Sequence, residues 1–395
     1  MAPLFRKAPS VLLLALSGCL LWYSMSTYKL SGQNRLGDFS AQFFPKARIQ
    51  DGLSMELALN HAEAAEFFRK AILEGPCFID AWMGLARACV AEGHVDEARK
   101  ILKIVSPALS SISTWKWQEL LLAYDLADEQ YFERCLNYIL SYLPDRTDKA
   151  GLLASRFWGD WDVVIPHVSR ENRPVFLYTL IDQKQADAAI ALFKVIESEG
   201  PQLGEKEGIR LCEFLISNDR LKEAKAAWGL IRKEDAPLID DGSFEKSPLD
   251  MAFGWRFRSD PGVTVERAAG SPCQGNSCLH IHFKGTGNIG GGLAWQIVPV
   301  RPESSYCLSF VRKSGSLTTD CGVFLSIDGY RNGKLDIATK PALGDSPWTK
   351  EKVEFRTPAG CEAVVLHVRR NESLKLDNKI SGDYWLGSVE LVEKH

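Results

Sequence analysis

A recurrence every 34 residues constrains this chain more than any other feature. The small residue Ala64 is matched by Ala98, and the large Phe68 by Leu102, each pair 34 positions apart. That period fits a helix–turn–helix unit, which buries its apolar face by stacking on copies of itself. The surrounding residues agree: from about 50 to 235, apolar positions return at three- and four-residue spacing, with few Gly or Pro between them. Small residues such as Ala64 and Ala98 let two antiparallel helices approach closely, while Phe68 and Trp82 fill the gap between neighbouring pairs. Gly93 is placed to end one helix, and Asp96 and Glu97 lie near the positive N-terminal end of the next.

Ala64, Phe68, Ala71 and Pro76 follow the A-x3-F-x2-A-x4-P half of a tetratricopeptide repeat. Trp82, Leu85, Ala86 and Cys89 follow its W-x2-L-G-x2-Y half, with Ala and Cys as smaller substitutes. Over Gly52 to Pro107 the chain therefore resembles tetratricopeptide-repeat proteins. Farther on the match decays. Trp117, Leu120, Leu121 and Tyr124 resemble a first helix, but its partner, Phe132 to Leu143, lacks the small Ala. Ala189 to Ala224 is a spacing of 35, and residues 151–173 are the least regular part. The expectation is four or five helix pairs forming an α-solenoid over 51–235. The resemblance implies a concave groove that binds a protein partner; the alternative is a spacer.

The N-terminus reads as a targeting element. Arg6 and Lys7 precede an uncharged apolar run from Ala8 to about Met25, about the length that crosses a bilayer core. Trp22, Tyr23 and Tyr28 are placed as an aromatic belt. One reading makes 1–30 a signal anchor and 31–50 a linker, giving a single-pass protein of a bacterial inner membrane with its bulk in the periplasm. In the other, Leu16-Ser17-Gly18-Cys19 resembles a lipobox, with Cys19 as the lipidated residue of a lipoprotein. The net charge of -3 and the absence of any basic stripe argue against nucleic acid as a partner.

Near Ala236-Pro237 the pattern changes to short alternating runs between turn signals. Leu279, Ile281 and Phe283 alternate with His280 and His282; Tyr306, Leu308 and Phe310 follow, then Val323, Leu325 and Ile327, and Val364, Leu366 and Val368. Eight or more such strands over 238–395 predict a β-sandwich or jelly roll. The landmark order resembles the jelly-roll, galactose-binding-like carbohydrate-binding modules. Ile239 to Glu245 with Gly254-Trp255 is similar to their entry motif, Asn276 to Ile281 to an early strand, and Gln296 to Tyr306 to a hairpin.

That resemblance implies sugar stacking on aromatic faces beside polar groups. The candidates are Trp295, Tyr330 and Trp348, with Gln296, Arg312 and Arg369 as polar partners. Trp255 and Trp385 read as core. The family's structural calcium would use Glu245, although Gly387 stands where an Asp is common.

No P-loop, G-x-S-x-G elbow or H-E-x-x-H motif occurs, so the chain reads as non-enzymatic. A divergent glycoside-active enzyme would have to draw on Asp328, Glu354 and Glu362. His280 and His282 share a strand face, and with His367 could form a zinc site; solvated histidines are the plainer reading. Gly285 to Gly292 reads as a mobile loop. Cys77, Cys89, Cys135 and Cys212 read as small core residues. Cys273 and Cys278 flank a turn that a disulfide could close, and Cys307 and Cys321 lie symmetrically about Ser314, as in a bridged hairpin. Together these features describe an anchored envelope scaffold. Its repeats hold a protein partner and its sandwich contacts a polysaccharide, in assembly or export of surface polysaccharide. The main alternative is a lipoprotein assembly factor of a secretion machine that binds no glycan.

Overall fold

The computed structural model describes residues 45–394 apart from 111, 201–202, 233–236, 332–333 and 376–377. The expected anchor, the Cys19 lipobox and most of the linker lie outside the described residues. Among those described, no helix is long and apolar enough to cross a membrane. The chain divides into two compact units between Asn172 and Arg173.

The first unit is helical, with α1 (Pro45–Leu57), α2 (His61–Glu74), α3 (Ile79–Ala91), α4 (Val95–Leu109), α5 (Ser113–Asp125), α6 (Glu129–Tyr142), α7 (Thr147–Trp158) and the one-turn α8 (Trp161–Val164). Ala64, Ala98 and Phe68 are fully buried. The Phe68 ring lies so close to Gly52 on α1 and Gly84 on α3 that a Cβ at either would fall within 3 Å of it. Trp82 is only partly buried and donates its indole N–H to the Pro76 carbonyl at 2.8 Å. Asn60 and Asp128 cap α2 and α6 by accepting from the amides of Glu63 and Tyr131. The turns between paired helices share one conformation: Leu59, Gly93 and Ala127, each 34 residues beyond the last, all have positive φ.

The irregular segment is real. Beyond α8 the chain runs through two 3-10 turns, Ile165–His167 and Arg170–Asn172. Asn137 and the buried Asn172 hold them, with Asn137 donating to the His167 carbonyl and Asn172 to the Asn137 carbonyl. Between α5 and α6, Glu119 is fully buried, pairs with Lys116 at 2.7 Å and accepts from the Tyr131 hydroxyl. Burial, followed by that bond, pushes the Tyr131 hydroxyl far above its ordinary pKa.

The second unit begins with two helix pairs: α9 (Arg173–Asp182), α10 (Ala186–Ser198), α11 (Glu205–Ser217) and α12 (Leu221–Arg232). A two-sheet sandwich follows, with β1 (Arg256–Phe257), β2 (Val263–Ala269), β3 (Ser277–Lys284), β4 (Gly291–Pro299), β5 (Ser305–Leu317), β6 (Val323–Gly329), β7 (Asp336–Ala338), β8 (Gly344–Arg356), β9 (Ala363–Arg370) and β10 (Ser381–Lys394). The first sheet has the order β1-β4-β9-β6-β7, the second β2-β3-β10-β5-β8, and all pairings are antiparallel. Leu279, Ile281 and Phe283 from the second sheet and Val323, Leu325, Val364, Leu366 and Val368 from the first fill the core between them. The alternation seen in the sequence is this inward face.

The last helix pair is tied to the sandwich by charge. Glu213 on α11 pairs with Arg256 at 2.7 Å, Lys222 on α12 with Glu362 at 3.4 Å, and Asp219 with Arg331. Trp228 meets Phe253 edge-on.

Several expectations are corrected here. Cys307 and Cys321 are free thiols. β5 continues through Ser314 instead of turning there, with its register against β8 shifting on either side, so Cys307 is near its start and Cys321 beyond its end. Cys273 and Cys278, by contrast, form the expected disulfide. Cys77 is exposed, whereas Cys89, Cys135 and Cys212 are buried. The glycine-rich loop is bonded in place: Asn288 donates to the Ser373 carbonyl, and the fully buried Arg370 donates to Asn288 Oδ1 and the Cys321 carbonyl.

Candidate functional site

Each sheet presents its outward side chains as cross-strand rows, because register places residues on neighbouring strands directly opposite one another. On the first sheet, three rows cross β4, β9 and β6. Gly292, Arg369 and Phe324 form one; Trp295, His367 and Ser326 the next; Ile297, Val365 and Asp328 the third. Arg256 on β1 lies opposite Trp295. The bulge after Gly292 turns both Gly292 and Trp295 outward.

The centre of this face is a partly exposed indole beside an imidazole. His367 Nε2 is 3.7 Å from Asp328 Oδ2, and Asp328 accepts from the Ser326 hydroxyl at 2.9 Å. Burial pushes the His367 pKa below its ordinary value; Asp328 opposes that shift and Arg369 adds to it. The Arg369 guanidinium lies over the Phe324 ring. Tyr330 follows β6 at the end of this face, beneath the Arg331 guanidinium, and burial raises its hydroxyl pKa.

Of the six residues singled out for sugar contact, the structure brings Trp295 and Arg369 onto one face, with Tyr330 at its end. The other three are elsewhere. Gln296 points inward, is fully buried and donates to the Asp240 carbonyl at 2.9 Å. Arg312 also points inward; it donates to the Lys340 carbonyl at 2.6 Å and pairs with Glu351. Trp348 belongs to β8, the edge strand of the second sheet. Period-two alternation reveals which residues share a face of one strand but not which strands share a sheet, so His367, Ser326 and Asp328 were not recognisable as companions of Trp295.

The second sheet carries a different outer constellation. One row reads Thr264, His282, Asp383 and Gly315 across β2, β3, β10 and β5; the next reads Glu266, His280, Trp385 and Lys313. His280 Nε2 and His282 Nδ1 each lie 2.8 Å from Asp383 Oδ1. Burial alone would raise the Asp383 pKa, but the bonds from both imidazoles prevail and hold it below the usual carboxylate range.

Two expectations change at this point. His367 belongs to the first sheet and cannot join His280 and His282, whose companion is Asp383. Trp385 is outward rather than core, stacked on the His280 ring with centroids 5.2 Å apart and with Lys313 Nζ 4.8 Å from the Trp385 ring centroid. Glu245 is exposed, and its backbone N–H donates to Asp241.

Comparisons with known proteins bear on both halves. The tetratricopeptide-repeat family model matches residues 58–109. No curated protein matches the chain. Solved structures similar to the C-terminal sandwich include a family 16 carbohydrate-binding module, 22% identical over 39% of this chain and 99% of that one, with a TM-score of 0.27. A family 4 carbohydrate-binding module is 12% identical over 40% of this chain and 99% of that one, with a TM-score of 0.30. The CBM22-1 xylan-binding domain from Paenibacillus barcinonensis Xyn10C is 16% identical over 38% of this chain and 90% of that one, with a TM-score of 0.27.

Proposed function

We propose that this chain is a non-catalytic scaffold of the bacterial envelope, tethered to the membrane through its N-terminus. In this reading its repeats hold a protein partner and the outer face of its first sheet holds a polysaccharide during assembly or export. One observation carries the glycan part: Trp295 presents its indole on a sheet face directly beside His367, with Arg369 and Asp328 in the adjoining rows. An indole accepts the apolar C–H face of a pyranose, while carboxylate, guanidinium and imidazole groups around it bond the hydroxyls. The repeat match over 58–109 supports the partner-binding part, since such arrays work by presenting an extended groove.

The carboxylates that an enzyme would use are dispersed. Asp328 is on the first sheet, Glu354 on the second pairs with Lys394, and Glu362 pairs with Lys222. A glycoside hydrolase needs two carboxyl groups flanking one bond, about 5–9.5 Å apart.

The test is a glycan array probed with the full chain, followed by calorimetry on any hit. Saturable binding that weakens in Trp295→Ala supports the proposal. An array without a hit, together with recovery of an envelope protein by the repeats, contradicts the glycan part and favours a secretion-machine assembly factor.

A further inference from the structure

We infer that the outer face of the second sheet is a site for one divalent transition-metal ion, with His280, His282 and Asp383 as its ligands. Among the described residues this is the one group of three or more His, Cys, Asp or Glu side chains whose donor atoms converge, all within 4.8 Å of one another. Two imidazoles and a carboxylate are the donor set that zinc accepts, and three protein ligands with an open fourth position form a recurring arrangement for it. The softer members of the first-row series share the preference for imidazole.

The fold prepares this set in three ways. His282 and Asp383 are direct cross-strand partners, and His280 is two residues from His282 on the same face of β3, so the ladder fixes the spacing. Tetrahedral bonds of about 2.0–2.1 Å put ligand atoms about 3.3 Å apart. The present N–O separations of 2.8 Å need to open by about half an ångström, while the two imidazole nitrogens, within 4.8 Å of each other, settle to the same spacing. His282 is nearly half exposed and free to make that adjustment.

His280 is also oriented from behind. Its ring stacks on Trp385 with an interplanar angle of 9°, and its Nδ1 lies 3.4 Å from Glu266 Oε1 while Nε2 faces Asp383. A carboxylate on the far nitrogen of a ligating imidazole fixes the tautomer and raises its basicity. Glu266 is thus a positioning residue, and it is supplied by the register between β2 and β3. This site stands independently of the glycan reading, since it lies on the opposite sheet and uses none of the same residues.

The experiment uses the full chain without a polyhistidine tag, stripped with chelator and titrated with Zn2+ and with Co2+ in a calorimeter. Bound metal is then counted by mass spectrometry after gel filtration. One equivalent of retained zinc is expected. His282→Ala and Asp383→Asn each lower the affinity at least 100-fold, and Glu266→Gln lowers it about 10–100-fold with the stoichiometry unchanged. Circular dichroism melts confirm that each variant is folded; His282, being exposed, is the variant whose fold is least at risk. Failure of the folded wild-type chain to retain zinc overturns the proposal. So does retention of one equivalent at unchanged affinity by His280→Ala/His282→Ala.

Discussion

The two outer faces of the sandwich are built from nearly the same residue types and differ in how those residues are spaced. Each has an indole, imidazole, a carboxylate and a cation. On the second sheet the polar atoms converge, with both imidazoles 2.8 Å from one Asp383 oxygen, and Trp385 is engaged by His280 and Lys313. On the first sheet His367 and Asp328 are 3.7 Å apart, and among the described residues no ring or cation stacks on Trp295. Converging donors with an occupied indole suit a small ion. Dispersed donors around an unstacked, partly exposed indole suit a broad polar ligand with an apolar face. Composition alone does not separate the two cases; register does.

That contrast can be broken by exchanging which indole is lost. Trp295→Ala should weaken binding of a glycan by roughly 30-fold, the effect of removing one central aromatic contact worth about 2 kcal/mol. Trp348→Ala and Trp385→Ala should leave the glycan affinity within about twofold, since neither residue is on the first sheet. Calorimetry on the three variants checks both statements. Equal losses in all three would mean that the face is wrongly assigned.

A gentler probe is pH. Because burial lowers the His367 pKa from the ordinary 6.5, the folded chain prefers the neutral ring. The unfolded chain takes up its proton first as pH falls. The contribution of neutral His367 is therefore fully present above about 6.5 and is lost as pH falls through 6.5 toward the lower folded value. NMR titration of the His367 ring should give a midpoint below 6.5, and His367→Gln should flatten that part of the stability profile. A midpoint above 6.5 would show that Asp328 dominates over burial and that this face resembles the other more than the geometry implies.

The helical unit offers the smallest expected effect and the clearest case of legibility. The 34-residue spacing and the buried Ala64, Phe68 and Ala98 were readable because helix pairing is a local, periodic property. Gly93 was readable as a terminator for the same reason, yet its structural equivalents Leu59 and Ala127 adopt the same positive φ without a glycine to mark them. Ala127→Gly should relieve the left-handed strain at the cost of a more flexible unfolded chain, raising stability by about 0.5 kcal/mol in a thermal melt. A lower melting temperature would show that the turn tolerates Ala without strain.

The sandwich was less legible for a physical reason. Alternation in β3 and β9 marked the core-facing Leu279, Ile281, Leu366 and Val368, because inward residues must be apolar. Which strand lies beside which depends on pairings between segments far apart in the chain. Asp383 meets His282 across 101 residues, and nothing in either local sequence announces it. For the same reason Arg312 and Gln296 read as sugar ligands in the sequence although both point inward, and the two cysteines about Ser314 read as a hairpin although β5 continues through that residue.

The most direct measurement is a crossed titration: a captured glycan and zinc, each against Trp295→Ala and His282→Ala in the full chain. Two independent faces require that Trp295→Ala lose the glycan and keep the metal, and that His282→Ala do the reverse. Loss of both ligands in either folded variant, or of neither ligand in both, would contradict the assignment of separate faces.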